Sequence, residues 1–222
     1  MSTTDEQIKK DIVDQLYWDV RVDALDVKVD VENKKATLKG TVPSYAARSA
    51  AEADATTISG VMSVKNLLTV KYPPDFEAPT DTEIKSHIEN LLRWNPDIDP
   101  SNISISVSAG LVTIEGTVDA YWKTIEVEKI VSAVKGVLNV TNKLAVVPTK
   151  DFIDQAIADD IVSAIDRSLS VDAESVDVKV NRGIVTLSGI VPDWPGYRAA
   201  FNAAKYTVGV IDIIDDLVIK RI

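Results

Sequence analysis

The chain has 222 residues, 45% of them apolar and 26% charged, with a formal charge of −10, a composition typical of a globular, soluble protein. The acidic balance argues against nonspecific nucleic-acid binding and simple electrostatic adhesion to anionic lipid, both of which need an excess of lysine and arginine. Cysteine is absent, which removes disulfides, thiolate catalysis and cysteine-ligated metal.

No run of about 18 apolar residues occurs, so no membrane-spanning helix is predicted. The start, MSTTDEQIKKDIVDQ, is polar and acidic and lacks the basic end and apolar stretch of a secretory signal. The expected location is therefore cytoplasmic, or periplasmic if a leader has been removed.

Ile8, Ile12 and Leu16 are spaced four apart and predict an amphipathic helix. Val27, Val29 and Val31 alternate, as in a strand with one buried face. Asn33-Lys34 suits a tight hairpin turn, since asparagine tolerates positive φ. The returning strand carries TLKGTV at 37–42, with Gly40 near its end. A second helix presents Ala51 and Ala55, small residues that allow close packing on a sheet. Gly60 is placed as its C-cap, where left-handed geometry favours glycine. The strand VKNLLTV closes the unit.

The same order returns twice, at offsets of 76 and 149 residues, without a gap. TLKGTV becomes TIEGTV at 113–118 and TLSGIV at 186–191. The helix triplet becomes Ile84, Ile88, Leu92 and then Ile157, Ile161, Ile165; the strand triplet becomes Ile103, Ile105, Val107 and then Val176, Val178, Val180. The turns are Ala109-Gly110 and Arg182-Gly183. The glycine pairs Gly40/Gly60, Gly116/Gly136 and Gly189/Gly209 form the recurring structural motif.

The fold class is therefore α+β: three tandem α-β-β-α-β units, each a three-stranded mixed sheet with two helices packed against it. The domain bounds are 1–72, 80–148 and 152–222. A unit of about 70 residues buries only about 60% of its unfolded surface, so contacts between neighbours are expected. The linker YPPDFEAPT at 72–80 is proline-rich and semi-rigid.

The order of elements, the paired glycines and a G-V-x-x-V-x-N ending together resemble the BON domain family. The ending stands as Gly60-Val61-Met62-Ser63-Val64-Lys65-Asn66 and as Gly136-Val137-Leu138-Asn139-Val140-Thr141-Asn142. The third copy keeps Gly209-Val210 but has Asp215 in place of the asparagine. The resemblance implies a bacterial envelope or osmotic-stress protein that binds phospholipid surfaces. Other members form parts of secretins and channels, or occur in a cytoplasmic potassium sensor. The family brings no catalytic residue set and no cofactor.

The residues themselves give little sign of an enzyme. His87 is the one histidine, aligned with Asp11 and Asp160, and reads as a surface group. Asp97 and Asp99 read as a solvated loop. Asp212, Asp215 and Asp216 lack the glycine and trailing glutamate of a calcium loop. No phosphate-cradling glycine motif occurs, and no metal site is expected.

Aromatic residues recur at equivalent positions. Tyr45, Tyr121 and Trp194 align at the start of the second helix, Trp122 follows in copy two, and Trp18 and Trp94 align at the end of the first helix, where copy three has Arg167. Two readings stand for these aromatics: interfacial anchors at headgroup depth, or a hydrophobic staple or inter-unit contact. Residues 1–72 carry 10 basic and 11 acidic groups, and Lys34, Lys35 and Lys39 near the first hairpin are the candidates for an anionic headgroup.

Three functions follow as expectations: a non-enzymatic lipid-surface module of an osmotic or envelope stress response, a scaffold of packed repeats that binds a protein partner, or an ion sensor.

Overall fold

The computed structural model describes residues 4–72 and 76–220. Each repeat follows one plan. The first has α1 (Asp5–Trp18), β1 (Val27–Glu32), β2 (Lys35–Val42), α2 (Tyr45–Thr57) and β3 (Ser63–Val70). The second has α3 (Asp81–Trp94), β4 (Ile103–Ser108), β5 (Leu111–Val118), α4 (Tyr121–Ser132) and β6 (Asn139–Val146). The third has α5 (Asp154–Asp166), β7 (Val176–Asn181), β8 (Ile184–Val191), α6 (Trp194–Lys205) and β9 (Asp212–Ile219). By contact, the chain forms two compact units. One is Met1–Leu91, Ile105–Thr113 and Lys129–Thr141; the other is Leu92–Ser104, Ile114–Glu128 and Asn142–Ile222.

The three sheets run β1-β2-β3, β4-β5-β6 and β7-β8-β9. In the first, β1 and β2 are antiparallel with Glu32 opposite Lys35, and β2 and β3 are parallel with Lys35 opposite Ser63. The third repeats this register, with Asn181 opposite Ile184 and Ile184 opposite Asp212. Parallel pairing requires a crossover, and the second helix of each repeat supplies it. The hairpin turns take positive φ at both central residues: Asn33 and Lys34 at 50° and 64°, Ala109 and Gly110 at 50° and 74°, Arg182 and Gly183 at 53° and 75°. That conformation matches the right-handed strand twist.

The helix triplets lie in the interior: Ile8, Ile12, Leu16, Ile84, Ile88, Leu92, Ile157, Ile161 and Ile165 are all buried. In the first repeat they pack with Val29, Ala36, Leu38, Ala51, Ala55 and Leu68. In the third the corresponding set includes Val176, Val185, Leu187, Ala200, Ala204 and Ile219. The four-residue helix period and two-residue strand period therefore meet in one core in the first repeat and in one core in the third.

The glycine of the repeated phrase has a steric cause. A one-turn 3-10 helix precedes the first strand of each repeat, at Ala24–Asp26, Pro100–Asn102 and Ala173–Ser175. The last carbonyl of each turn sits where a Cβ on the phrase glycine would project. A Cβ on Gly40 would stand 1.9 Å from the Asp26 carbonyl oxygen, and one on Gly189 would stand 2.1 Å from that of Ser175. Their φ values of 118° and 132° exclude other residues independently.

The expected role of the second glycines as helix C-caps is corrected. Ile58 caps α2 and Tyr206 caps α6, so Gly60 and Gly209 fall beyond the caps, in the turn that leads into the last strand. At Gly209 the constraint is again packing, since a Cβ would lie 2.7 Å from Phe152 Cγ.

A carboxylate clamp ties the first helix of each repeat to its hairpin. Asp5 accepts from the backbone N–H groups of Asn33 and Lys34 at 2.7 and 3.0 Å. Asp81 does so from Ala109 and Gly110 at 2.7 and 2.9 Å, and Asp154 from Arg182 and Gly183 at 2.8 and 2.9 Å. Each carboxylate is the first residue of its helix, where negative charge also meets the positive end of the helix dipole.

The asparagine of the family ending joins the last strand to the second helix. Asn66 Nδ2 donates to the Arg48 carbonyl at 2.9 Å and its Oδ1 accepts from Leu68 N–H at 3.1 Å. Asn142 bonds the Thr124 carbonyl and Leu144 N–H in the same way. Asp215 in the third repeat cannot donate. There the Tyr197 hydroxyl donates to Asp215, which still accepts from Leu217 N–H at 3.2 Å. Burial and the carboxylate together push the Tyr197 phenol well above its ordinary pKa.

Residues 73–75 of the predicted semi-rigid linker lie outside the described residues. On either side of them Tyr72 and Phe76 stack with ring centroids 4.1 Å apart, and the Tyr72 hydroxyl donates to the Val137 carbonyl at 3.2 Å.

Candidate functional site

The most exposed apolar surface of the first repeat lies at the C-terminal end of α1. The buried stripe of that helix ends at Leu16, so the next two residues project from its uncovered side. Tyr17 is 77% exposed and Trp18 81%, while Val20 and Leu25 beyond them reach 100% and 87%. Asp19 caps the helix through its N–H to the Gln15 carbonyl at 3.2 Å, and Val22 anchors the following loop in the core. The second repeat presents Trp94, 85% exposed, at the end of α3, together with exposed Leu91. In the third, Arg167 stands at the tryptophan position and Leu169, aligned with Val20, is fully exposed.

The four aromatics at the start of the second helices behave differently, and all are half-buried. The Arg48 guanidinium lies 5.5 Å from the Tyr45 ring centre and Lys123 Nζ lies 5.7 Å from that of Trp122. Tyr121 packs against the core of the third repeat, where burial and the nearby Asp212 and Asp215 carboxylates raise its pKa. Trp194 belongs to that same core and meets Tyr197 edge-on at 5.1 Å, with its indole Nε1 buried and without a partner. Tyr121 and Trp194 thus pack, half-buried, against the third repeat's core, whereas the exposed tryptophans are the pair at the end of the first helices.

Lys35 and Lys39 are exposed and Lys34 is half-buried in the turn. Lys39 Nζ pairs with Asp30 at 3.0 Å, holding that carboxyl below its ordinary pKa. The open concavity beside them, about 460 Å³, is lined by Lys9, Lys35 and Lys39 but also by Glu6, Asp30 and Glu32. Its charges offset one another, so it is not a dedicated anion trap.

His87 is exposed on α3. Asp99 accepts from Ser101 N–H at 3.0 Å and from the Ser101 hydroxyl at 2.6 Å, which makes it the cap of its 3-10 turn. Among the described residues no three His, Asp or Glu side chains are grouped to hold a metal ion, and no helix is long and apolar enough to cross a membrane.

The fold defines a class: a tandem array of three small α-β-β-α-β domains, two of which expose a tryptophan at the end of the first helix. The BON domain model matches residues 4–72, 80–148 and 153–221. The chain belongs to the BON domain family, with three copies in tandem.

It is similar to "Osmotically-inducible protein Y" of Escherichia coli (strain K12), 29% identical over 126 residues, which cover 55% of this chain and 63% of that relative. Among solved structures it is similar to CdsD, described as a structural protein of the Type III secretion system of Chlamydia trachomatis. The identity is 16% and the TM-score 0.28, with 96% of this chain and 92% of the other covered. The C-terminal domain of CdsD gives 16% and 0.27, covering 95% and 96%. Neither likeness bears on the fold or the function.

Proposed function

We propose that this chain is a non-enzymatic, multivalent binding protein of an osmotic or envelope stress response, and that its ligand is a phospholipid surface. The observation that carries the reading is the equivalent placement of Trp18 and Trp94, both almost fully exposed at the ends of α1 and α3. An exposed indole is costly in water and well accommodated at headgroup depth. In the first repeat Tyr17, Val20 and Leu25 extend that surface. The family membership and the likeness to an osmotically inducible protein support the stress-response setting.

The domains are read as 1–72, 80–148 and 152–222, and linking them raises the avidity of individually weak sites. With a net charge of −10, adhesion rests on apolar insertion, with Lys35 and Lys39 as secondary headgroup contacts. Tyr45 and Trp122 are further candidates at the lipid boundary.

The test is co-sedimentation of the full chain with phosphatidylcholine vesicles, with and without phosphatidylglycerol, at low and high salt. Binding that survives high salt supports the reading; no binding to any composition sinks it. A second reading, a scaffold of packed repeats, is favoured by the packing of Tyr121 on the third repeat's core. It predicts that aromatic substitution alters stability and leaves vesicle binding absent.

A further inference from the structure

Beneath the exposed end of α1 lies a group of ionisable residues without counterpart in the other repeats. Asp54, on α2, is only 6% exposed, and its Oδ2 is buried without a partner. The groups that face it are Gln15 from α1, Asp19 at the C-terminus of α1, and Arg21 from the loop that follows. The positions aligned with Asp19, Arg21 and Asp54 are Asn95, Asp97 and Ile130 in the second repeat and Ser168, Ser170 and Ala203 in the third.

Arg21 is committed to Asp19. Its Nε donates at 3.0 Å to both carboxylate oxygens and a terminal nitrogen donates at 2.5 Å, whereas the guanidinium is 3.9 Å from Asp54 Oδ1. Both carboxyl groups face the same Arg21 nitrogen, at 2.5 and 3.9 Å, and Asp54 is buried. Two carboxyl groups crowded on one guanidinium do not both ionise cheaply, so one of them keeps a proton. The guanidinium holds Asp19 ionised, and its pKa falls well below the carboxylate range. Burial and the Asp19 charge keep the proton on Asp54, whose pKa rises to about 6.

The loop that bears Val20 hangs from Asp19. Arg21 N–H donates to Asp19 Oδ1 at 2.8 Å and Val22 N–H to the Asp19 carbonyl at 2.9 Å. Any displacement of the Asp19 side chain is thus passed to residues 20–22.

We propose that Asp19, Arg21 and the buried Asp54 form a proton-operated latch that holds residues 19–25, and with them the apolar surface beside Trp18, in one conformation while the Asp54 proton is present. Loss of the proton leaves two adjacent carboxylates facing one guanidinium. Their repulsion drives Asp19 outward and loosens the loop. The consequence for binding rests on the phospholipid reading above; the latch itself does not.

The experiment therefore contains no lipid. Amide chemical shifts and hydrogen-exchange protection of residues 20–25 are followed in the full chain from pH 4.5 to 8. The expected result is one transition centred near pH 6, with Arg21 amide protection falling at least tenfold across it after correction for intrinsic exchange. Asp54→Asn abolishes the transition and keeps the loop protected at pH 8. Asp19→Asn moves the Asp54 midpoint down by a unit or more, and His87→Gln changes nothing. No transition in the parent chain, or one that persists in Asp54→Asn, overturns the proposal. So does an unchanged midpoint in Asp19→Asn.

Discussion

Replacing Asp154 with alanine removes both hydrogen bonds that tie α5 to its hairpin, at 2.8 and 2.9 Å. Hydrogen bonds to a charged group contribute about 1.5–3 kcal/mol each. Arg182 is exposed and water re-solvates its freed N–H, whereas Gly183 is buried and its N–H loses a partner outright, so the loss falls below the low-end sum of about 3 kcal/mol. Loss of negative charge at the helix N-terminus adds about 0.3–1 kcal/mol. The third repeat has little else at this point, because its N-cap residue, Ile153, makes no side-chain cap bond. Thr4 and Thr80 provide such bonds in the other two. The expected cost is about 2 kcal/mol, or about 10 °C for a domain of this size. Urea unfolding read by peptide-resolved hydrogen exchange isolates the third repeat. Asp154→Asn, which keeps one acceptor, should fall between parent and alanine variant. A change under about 0.5 kcal/mol in Asp154→Ala, with the Arg182 and Gly183 amides still protected, would refute the clamp as a stabilising element.

Gly189→Ala should unfold the third repeat selectively, since a Cβ would stand 2.1 Å from the Ser175 carbonyl oxygen; circular dichroism losing about a third of its amplitude would show this, and a native spectrum would count against it. The rise of Asp54 from 3.8 to about 6 means that the folded chain holds a proton the unfolded chain has released. Stability from this group is full below about pH 4 and is lost as pH rises through 6, by up to about 3 kcal/mol. Asp19 has the opposite sign, its contribution being present above about pH 4 and lost as pH falls further. Asp54→Asn should flatten the slope between pH 4 and 6 and raise stability at pH 7; an unchanged slope in chemical denaturation contradicts this. Tyr197→Phe should cost about 1 kcal/mol by removing the hydroxyl donor to Asp215 Oδ2, which leaves that carboxylate only the Leu217 N–H. Adding Asp215→Asn should restore most of it, because asparagine can bond the α6 backbone as Asn66 bonds α2; no rescue would show that the Tyr197 bond is not the compensation.

Periodicity made most of the fold legible. The triplet Ile8, Ile12, Leu16 could face only one way on a helix, and Asn33-Lys34 and its equivalents could close only a two-residue hairpin. What escaped was interaction between segments distant in sequence. Asp5, Asp81 and Asp154 sit at the repeat offsets, so their recurrence was visible. Their role appears only when a helix start meets a turn 28 residues away. The 3-10 turns had a similar trace in Asp23, Asp99 and Asp172, whose carboxylates cap them. Gly60 and Gly209 were misplaced as caps because a glycine after a helical pattern looks the same whether it ends the helix or clears space for a side chain such as Phe152. Among the aromatics, alignment placed Tyr121 and Trp194 with Tyr45. Which of them a neighbouring element covers depends on tertiary packing, which no one-dimensional pattern carries.

The central claim is that Trp18 and Trp94 meet the lipid surface. It is tested most directly in a chain with Trp122→Phe and Trp194→Phe, leaving those two indoles as the tryptophan reporters. Their fluorescence is recorded on titration with vesicles containing brominated phospholipid. The account predicts a blue shift and strong quenching that persist at high salt and disappear when both are changed to serine. Emission that stays at the solvent-exposed wavelength, unquenched at saturating lipid, would contradict it.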